Sequence, residues 1–140
     1  MKILSLELVG YRRLRLNNIR RFVIHTTEII QLILGTNGCG KSSVVDQLTP
    51  LPANPSDFTK DGSKTIRIMH HGVLYTLKST FAPSPKHSFT RSTGGDEEEL
   101  NDGATITVQR ELVRQIFGIT QDTHDLMTGQ ETFCTMSPSR

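Results

Sequence analysis

Eight consecutive residues, Gly35-Thr36-Asn37-Gly38-Cys39-Gly40-Lys41-Ser42, satisfy the pattern G-x-x-x-x-G-K-[ST] at every constrained position. The chemistry open to such a run is capture of a polyphosphate. Its glycines let the backbone curl so that N–H groups point inward and form an anion nest, which side chains would obstruct. A helix opening at the end of the loop would add its own N-terminal N–H groups and positive dipole end. Lys41 would supply a mobile cation for the β- and γ-phosphates, and Ser42 a hydroxyl for Mg²⁺. Asn37, Gly38, Cys39, Gly40 and Ser43 complete the nucleotide-binding set expected of the loop and its first helical turn, with Cys39 counted for its backbone N–H rather than its sulfur. The ligand so predicted is a nucleoside triphosphate, ATP with Mg²⁺.

The elements around the loop fit that purpose. Ile29 to Leu34 is a short apolar run, the pattern of a strand buried on both faces, and it ends at Gly35. Ser42 to Leu48 reads as a helix with Val44, Val45 and Leu48 toward a core, stopped by Pro50 and Pro52. Upstream, Ile3 to Val9 alternates as a strand, Gly10 ends it, Tyr11 to Asn18 forms a basic turn, and Ile19 to Thr26 reads as a second strand. Downstream, Ala53 to Ser63 has the composition of a loop. Thr65–His70 and Val73–Phe81 read as strands joined by a tight turn at His71-Gly72. The two prolines between Ala82 and Lys86 interrupt the pattern. Thr107 to Phe117 carries apolar residues at helical spacing before a Gly118 C-cap. Asp125-Leu126-Met127 is compatible with a short strand, and Ser137-Pro138 with the start of a helix.

Composition narrows the class. The chain has 140 residues and is 35% hydrophobic, enough for one domain with a modest core. No run is long or apolar enough to span a membrane, and the alternating N-terminus lacks the continuous apolar block of a signal peptide. Cys39 and Cys134 have neither metal-ligand spacing nor a disulfide framework, so a reducing cytoplasmic setting is expected. The five histidines show no paired-ligand spacing. The net charge of +2 is unevenly placed: Lys2, Arg12, Arg13, Arg15, Arg20 and Arg21 precede the loop, where polyphosphate or nucleic acid is a natural partner. Arg15, Arg20 and Arg21 are DNA-contact candidates by charge alone. The acidic run from Asp96 to Asp102 reads as solvated surface.

The loop motif does not by itself choose among kinases, GTPases, helicases and ABC-type ATPases. Two strands precede it and a hairpin follows it, which suits an ABC-type head. Residues 35–48, GTNGCGKSSVVDQL, resemble the G-x-N-G-x-G-K-S-S-ϕ-ϕ-D form of SMC-like ATPases, ϕ being apolar. Over nearly its whole length the chain resembles the N-terminal half-head of SbcC-type exonuclease ATPases, including the large subunits of phage recombination exonucleases. Residues 4–14, LSLELVGYRRL, are similar to that family's opening strand and its N-F-[RK]-S turn, with Gly10 in place of Asn, Tyr11 of Phe and Arg13 of Ser. Residues 99–101 and the helix to Ile119 are similar to the segment before the Q-loop, and residues 126–140, LMTGQETFCTMSPSR, to the Q-loop and the lead into a coiled coil.

The resemblance implies an α/β P-loop NTPase fold. Residues 1–140 would form the N-terminal lobe of an ABC-type ATPase head, with an antiparallel β subdomain and a mixed sheet. It implies that Arg12, and also Arg13, reach the nucleotide phosphates from the turn after the first strand. Gln130 would be the Q-loop glutamine, touching Mg²⁺ and the attacking water, and catalysis would fall to Lys41 and Gln130. The implied partners are a SbcD-like metallophosphoesterase nuclease subunit, the C-terminal lobe of the same head, a second head in a homodimer, and double-stranded DNA. The setting would be cytoplasmic, that of the bacterial host if the protein belongs to a phage. No apolar strand ends in Asp-Glu, so the Walker B carboxylates and the signature loop are expected beyond a coiled coil that would follow Arg140. The chain then reads as an N-terminal fragment that binds nucleotide weakly and hydrolyses it negligibly alone. Two other readings compete: a structural DNA-tethering ATPase of the SMC or RecF kind without a nuclease partner, and a small-molecule kinase, which the missing catalytic acid and lid arginines disfavour.

Overall fold

The computed structural model describes residues 1–26, 28 and 30–129. The chain combines a six-stranded antiparallel sheet with a few helices, an α/β arrangement. The strands are β1 (Lys2–Tyr11), β2 (Arg21–His25), β3 (Phe58–His70), β4 (Val73–Thr80), β5 (Lys86–Thr93) and β6 (Asp96–Glu99). The helices are α1 (Arg12–Arg15), α2 (Lys41–Gln47), α3 (Ile106–Phe117) and α4 (Gln121–Thr128), with a 3₁₀ turn at Pro55–Asp57. In space the strands run β2-β1-β3-β4-β5-β6, and every neighbouring pair is antiparallel. The expected mixed sheet therefore does not form among the described residues.

Period-two alternation places the core. Leu6 pairs with Ile66, Ile66 with Leu77, and Leu77 with Phe89, so one row of apolar side chains crosses four strands. All four are essentially sealed from solvent. Val113 of α3 is buried in the same core cluster. Within the same core the rings of Tyr11, Phe58 and Phe81 pack in tilted contact, with centroids 5.1 and 4.9 Å apart. That cluster anchors the end of β1, and hence the start of α1, against the start of β3.

Several elements depart from expectation. The run before the loop is not a strand: residues 31–36 carry no regular structure, and Ile30, Leu32 and Leu34 are 87%, 78% and 79% exposed. A strand forms only by pairing with a neighbour, and the sheet ends at β2 with no described strand flanking this run. Residues 58–63, expected as loop, are the first half of β3. They pair with the far end of β1, where Gly10 (φ 65°) and a register shift between Val9 and Tyr11 accommodate the approach. The acidic run is exposed, as expected, but part of it is a strand. Asp96–Glu99 forms β6, paired to β5 across Gly94-Gly95. Its Glu99 accepts from the Phe89 and Asn101 N–H groups at 2.7 and 3.0 Å, which puts one of those carboxylates to structural use. Residues 125–127 lie in α4 instead of a strand, held by a Thr120 N-cap that accepts from the Thr123 N–H. The turn after β1 is helical over Arg12–Arg15. The hairpin at His71-Gly72 and the Gly118 cap of α3 stand where expected. Residues 137–138 lie outside the described residues. No helix among the described residues is long and apolar enough to cross a membrane.

Candidate functional site

The loop from Gly35 to Ser42 leads directly into α2, which begins at Lys41. Gly40 holds the junction with φ 98°, a conformation costly for any side chain, and a Cβ there would meet Leu14 Cδ2 at 2.6 Å. Leu14, buried on α1, thus packs directly beneath the loop. The Cys39 N–H donates to the Thr36 carbonyl at 3.3 Å and the Val44 N–H to the Gly40 carbonyl at 3.0 Å, closing the turn and opening the helix.

Lys41 reaches back over the loop. Its ammonium donates to the carbonyl oxygens of Gly35 and Thr36 at 2.7 and 2.8 Å and lies 3.9 Å from Cys39 Sγ. The cation is thereby held inside the curl of its own loop by neutral acceptors, which an anionic oxygen would outcompete. A pocket of about 440 Å³ opens beside it, lined by Arg13, Leu16 and Asn17 from the α1 turn and by Asn37, Gly38, Gly40, Lys41, Ser42 and Ser43. Two cations, two hydroxyls and two amides face this space, and no carboxylate lines it among the described residues. Ser42 offers one hard oxygen. That suits Mg²⁺, which is commonly held by one or two protein oxygens together with phosphate oxygens and water. The described residues contain no cluster of three or more His, Cys, Asp or Glu that would hold a metal by itself.

The two arginines expected at the phosphates separate. Arg13 lines the loop pocket, and its guanidinium lies 3.6 Å from the Asp46 carboxylate on α2. Arg12 points elsewhere: its Nε donates to the Phe58 carbonyl at 3.0 Å, and it lines a different surface with Arg15, Thr59 and Lys60. Successive residues of a one-turn helix project about 100° apart, so only one of the pair faces the loop. Gln130 lies outside the described residues.

Asn17 and Asp46 escaped the reading of the sequence. The Asn17 side-chain amide donates to the Gly38 carbonyl at 3.0 Å, pinning the tip of the loop to the α1 turn. Asp46 holds Arg13, and its carbonyl oxygen stands 3.1 Å from His124 Nε2 on α4. Nothing in the spacing of Asn17 signalled that contact, which depends on how α1 and α2 pack. Asp46 was visible only as the final D of the family-like 35–48 pattern. In comparison with known proteins, no family model and no curated protein matches the chain.

Proposed function

We propose that the chain binds the phosphates of MgATP at the Gly35–Ser42 loop and serves as the N-terminal lobe of an ABC-type ATPase head in a DNA exonuclease complex. The observation that carries the phosphate reading is the disposition of Lys41. A single cation sits over a curled, glycine-rich backbone at a helix start, facing a pocket lined by Arg13, Ser42 and Ser43. On this reading Lys41 exchanges its two carbonyl partners for β- and γ-phosphate oxygens. Arg13 leaves Asp46 to add a second cation from the opposite wall. Ser42 would hold Mg²⁺, which would supply charge neutralisation at the terminal phosphate.

The site so assembled binds and orients. Among the described residues nothing lining it abstracts a proton from water, so the catalytic carboxylate would come from the C-terminal lobe, which would also cover the apolar Ile30, Leu32 and Leu34. Two heads closing on ATP would regulate access of duplex DNA to a metallophosphoesterase-type nuclease subunit. In the complete assembly, Lys41→Ala should abolish ATP-stimulated degradation of duplex DNA. Undiminished activity in that variant would sink the proposal. A structural DNA-tethering ATPase is the second reading, favoured only by the SMC-like form of residues 35–48. Recovery of the protein without any nuclease subunit would favour it.

A further inference from the structure

The inner face of the sheet carries one row that is not apolar. Leu8 pairs with Lys64, Lys64 with Ser79, and Ser79 with His87, directly beside the apolar Leu6–Phe89 row. Lys64, Ser79 and His87 are each 2% exposed. Ser79 Oγ and His87 Nδ1 satisfy one another at 2.9 Å. Lys64 has no such match: its Nζ donates to the Leu51 carbonyl at 3.1 Å, and no carboxylate pairs with it among the described residues. A buried ammonium without a counter-charge costs several kcal/mol, so an apolar residue would serve the sheet better. Burial accordingly pulls the Lys64 amine down to about 7.

Lys64 is not sealed in hydrocarbon. It forms part of the wall of a cavity of about 300 Å³ between the 49–54 segment and the helices, separate from the phosphate loop. The charged and titratable groups facing that cavity come from every element around it. They are Tyr11 at the end of β1, Arg13 on α1, Asp46 on α2, Asp57 of the 3₁₀ turn, Arg110 on α3 and His124 on α4. Asp46 is already engaged by Arg13, and the His124 Nδ1 faces Asp125 at 3.3 Å. Arg110 has no carboxylate within ion-pair reach among the described residues, and it adds to the burial that holds the His87 imidazole below its ordinary value. Lys64 and Arg110 thus converge on this space with no ion pair among the described residues, Lys64 held only by a carbonyl, and Asp57 is the one lining carboxylate not engaged by Arg13.

We propose that this cavity is a binding site for a small oxyanion of the carboxylate or phosphate class, which supplies the counter-charge that Lys64 and Arg110 lack. The volume admits such an ion with several waters, since a water occupies about 30 Å³ of liquid. Binding takes up a proton on Lys64, because only the ammonium pairs with the anion. Arg13 lines both this cavity and the phosphate pocket, so an anion here competes for it with a ligand at the loop. The site itself needs no nucleotide.

Inorganic phosphate and malonate, titrated separately at constant ionic strength, test this in the protein and in its Lys41→Ala and Arg110→Gln variants. NMR follows the Lys64 Nζ resonance and the Thr49 and Leu51 amides. Saturable shifts at Thr49 and Leu51 are expected, retained in Lys41→Ala and weakened about tenfold in Arg110→Gln, as for loss of one charge-assisted hydrogen bond. The Lys64 titration should move upward by at least about one pH unit at saturation. If one anion class alone produces these changes, the site takes that class. Shifts confined to the 35–42 loop and lost in Lys41→Ala would overturn the proposal, as would a Lys64 titration unmoved by either anion.

Discussion

The guanidinium of Arg13 stands 3.6 Å from the carboxylate of Asp46, joining the turn after β1 to the helix that follows the phosphate loop. The Arg13 side chain is 60% exposed, so the pair contributes at most about 1 kcal/mol and opens cheaply. Arg13→Ala is expected to weaken triphosphate binding roughly tenfold, the worth of one charge-assisted hydrogen bond. Asp46→Asn, which frees the guanidinium, should tighten it. Arg12→Ala should leave affinity unchanged and lower the melting temperature, because Arg12 ties α1 to the Phe58 carbonyl. Titration of a fluorescent nucleotide analogue against the three variants checks the affinities, and a thermal melt of Arg12→Ala checks the stability.

Gly40→Ala combines a positive φ with a Cβ placed against Leu14. The expected cost is about 1–3 kcal/mol of stability, with displacement of the loop from α1. Leu14→Ala in the same background removes the clash but not the backbone strain. It should restore nucleotide affinity in part while leaving the protein less stable than either parent. Chemical denaturation and nucleotide titration of the single and double variants separate the two effects.

Lys64 makes stability depend on pH. Its ordinary value of 10.5 falls to about 7 in the folded chain. Between those values the unfolded chain holds a proton that the folded chain has lost, so stability rises with pH across that window. Below 7 both states are protonated and this contribution is flat. Lys64→Met should be more stable than the parent at neutral pH, and its stability should climb less steeply toward pH 10.5. Denaturant melts in a buffer free of multivalent anions measure both slopes.

Asn101 locks α3 to β5. Buried to 1% exposure, it donates from Nδ2 to the carbonyls of His87 and Thr105 at 2.7 and 3.0 Å and accepts from the Thr105 N–H at 3.3 Å. Asn101→Ala leaves two of those carbonyls short of a donor and should cost about 2–4 kcal/mol. Asn101→Asp, which loses the donors and buries a charge, should cost more. Thermal melts at neutral pH rank them.

Local signals were legible where the chemistry is local. The G-x-x-x-x-G-K-[ST] run, the alternation of β1, the His71-Gly72 turn and the periodicity of α3 each depend on residues close together in sequence. What could not be seen depends on pairing at a distance. Residues 58–63 look like loop because Asp61, Gly62 and Ser63 are poor strand formers, yet β1 recruits them. Asp96–Glu99 is the solvated acid that its composition suggests, but its pairing as an edge strand across Gly94-Gly95 needs no apolar alternation and so left no signal. Residues 30–34 run in the other direction, since their composition promises burial but no described strand pairs with them. Lys64 sits in phase with Ile66 and Ile68 on a strand, so its position on the core face follows from the alternation. Its cavity does not, because residues distant in sequence build the walls.

Whether the 35–42 loop holds triphosphate through Lys41 is read off by calorimetric titration of MgATP. The protein, Lys41→Ala and Lys41→Arg are compared with ATP and with adenosine. Saturable binding of ATP is expected, and none of adenosine at matching concentration. Affinity should fall about tenfold to a hundredfold in Lys41→Ala and recover in part in Lys41→Arg. Equal ATP affinity in the protein and in Lys41→Ala would contradict that role of Lys41.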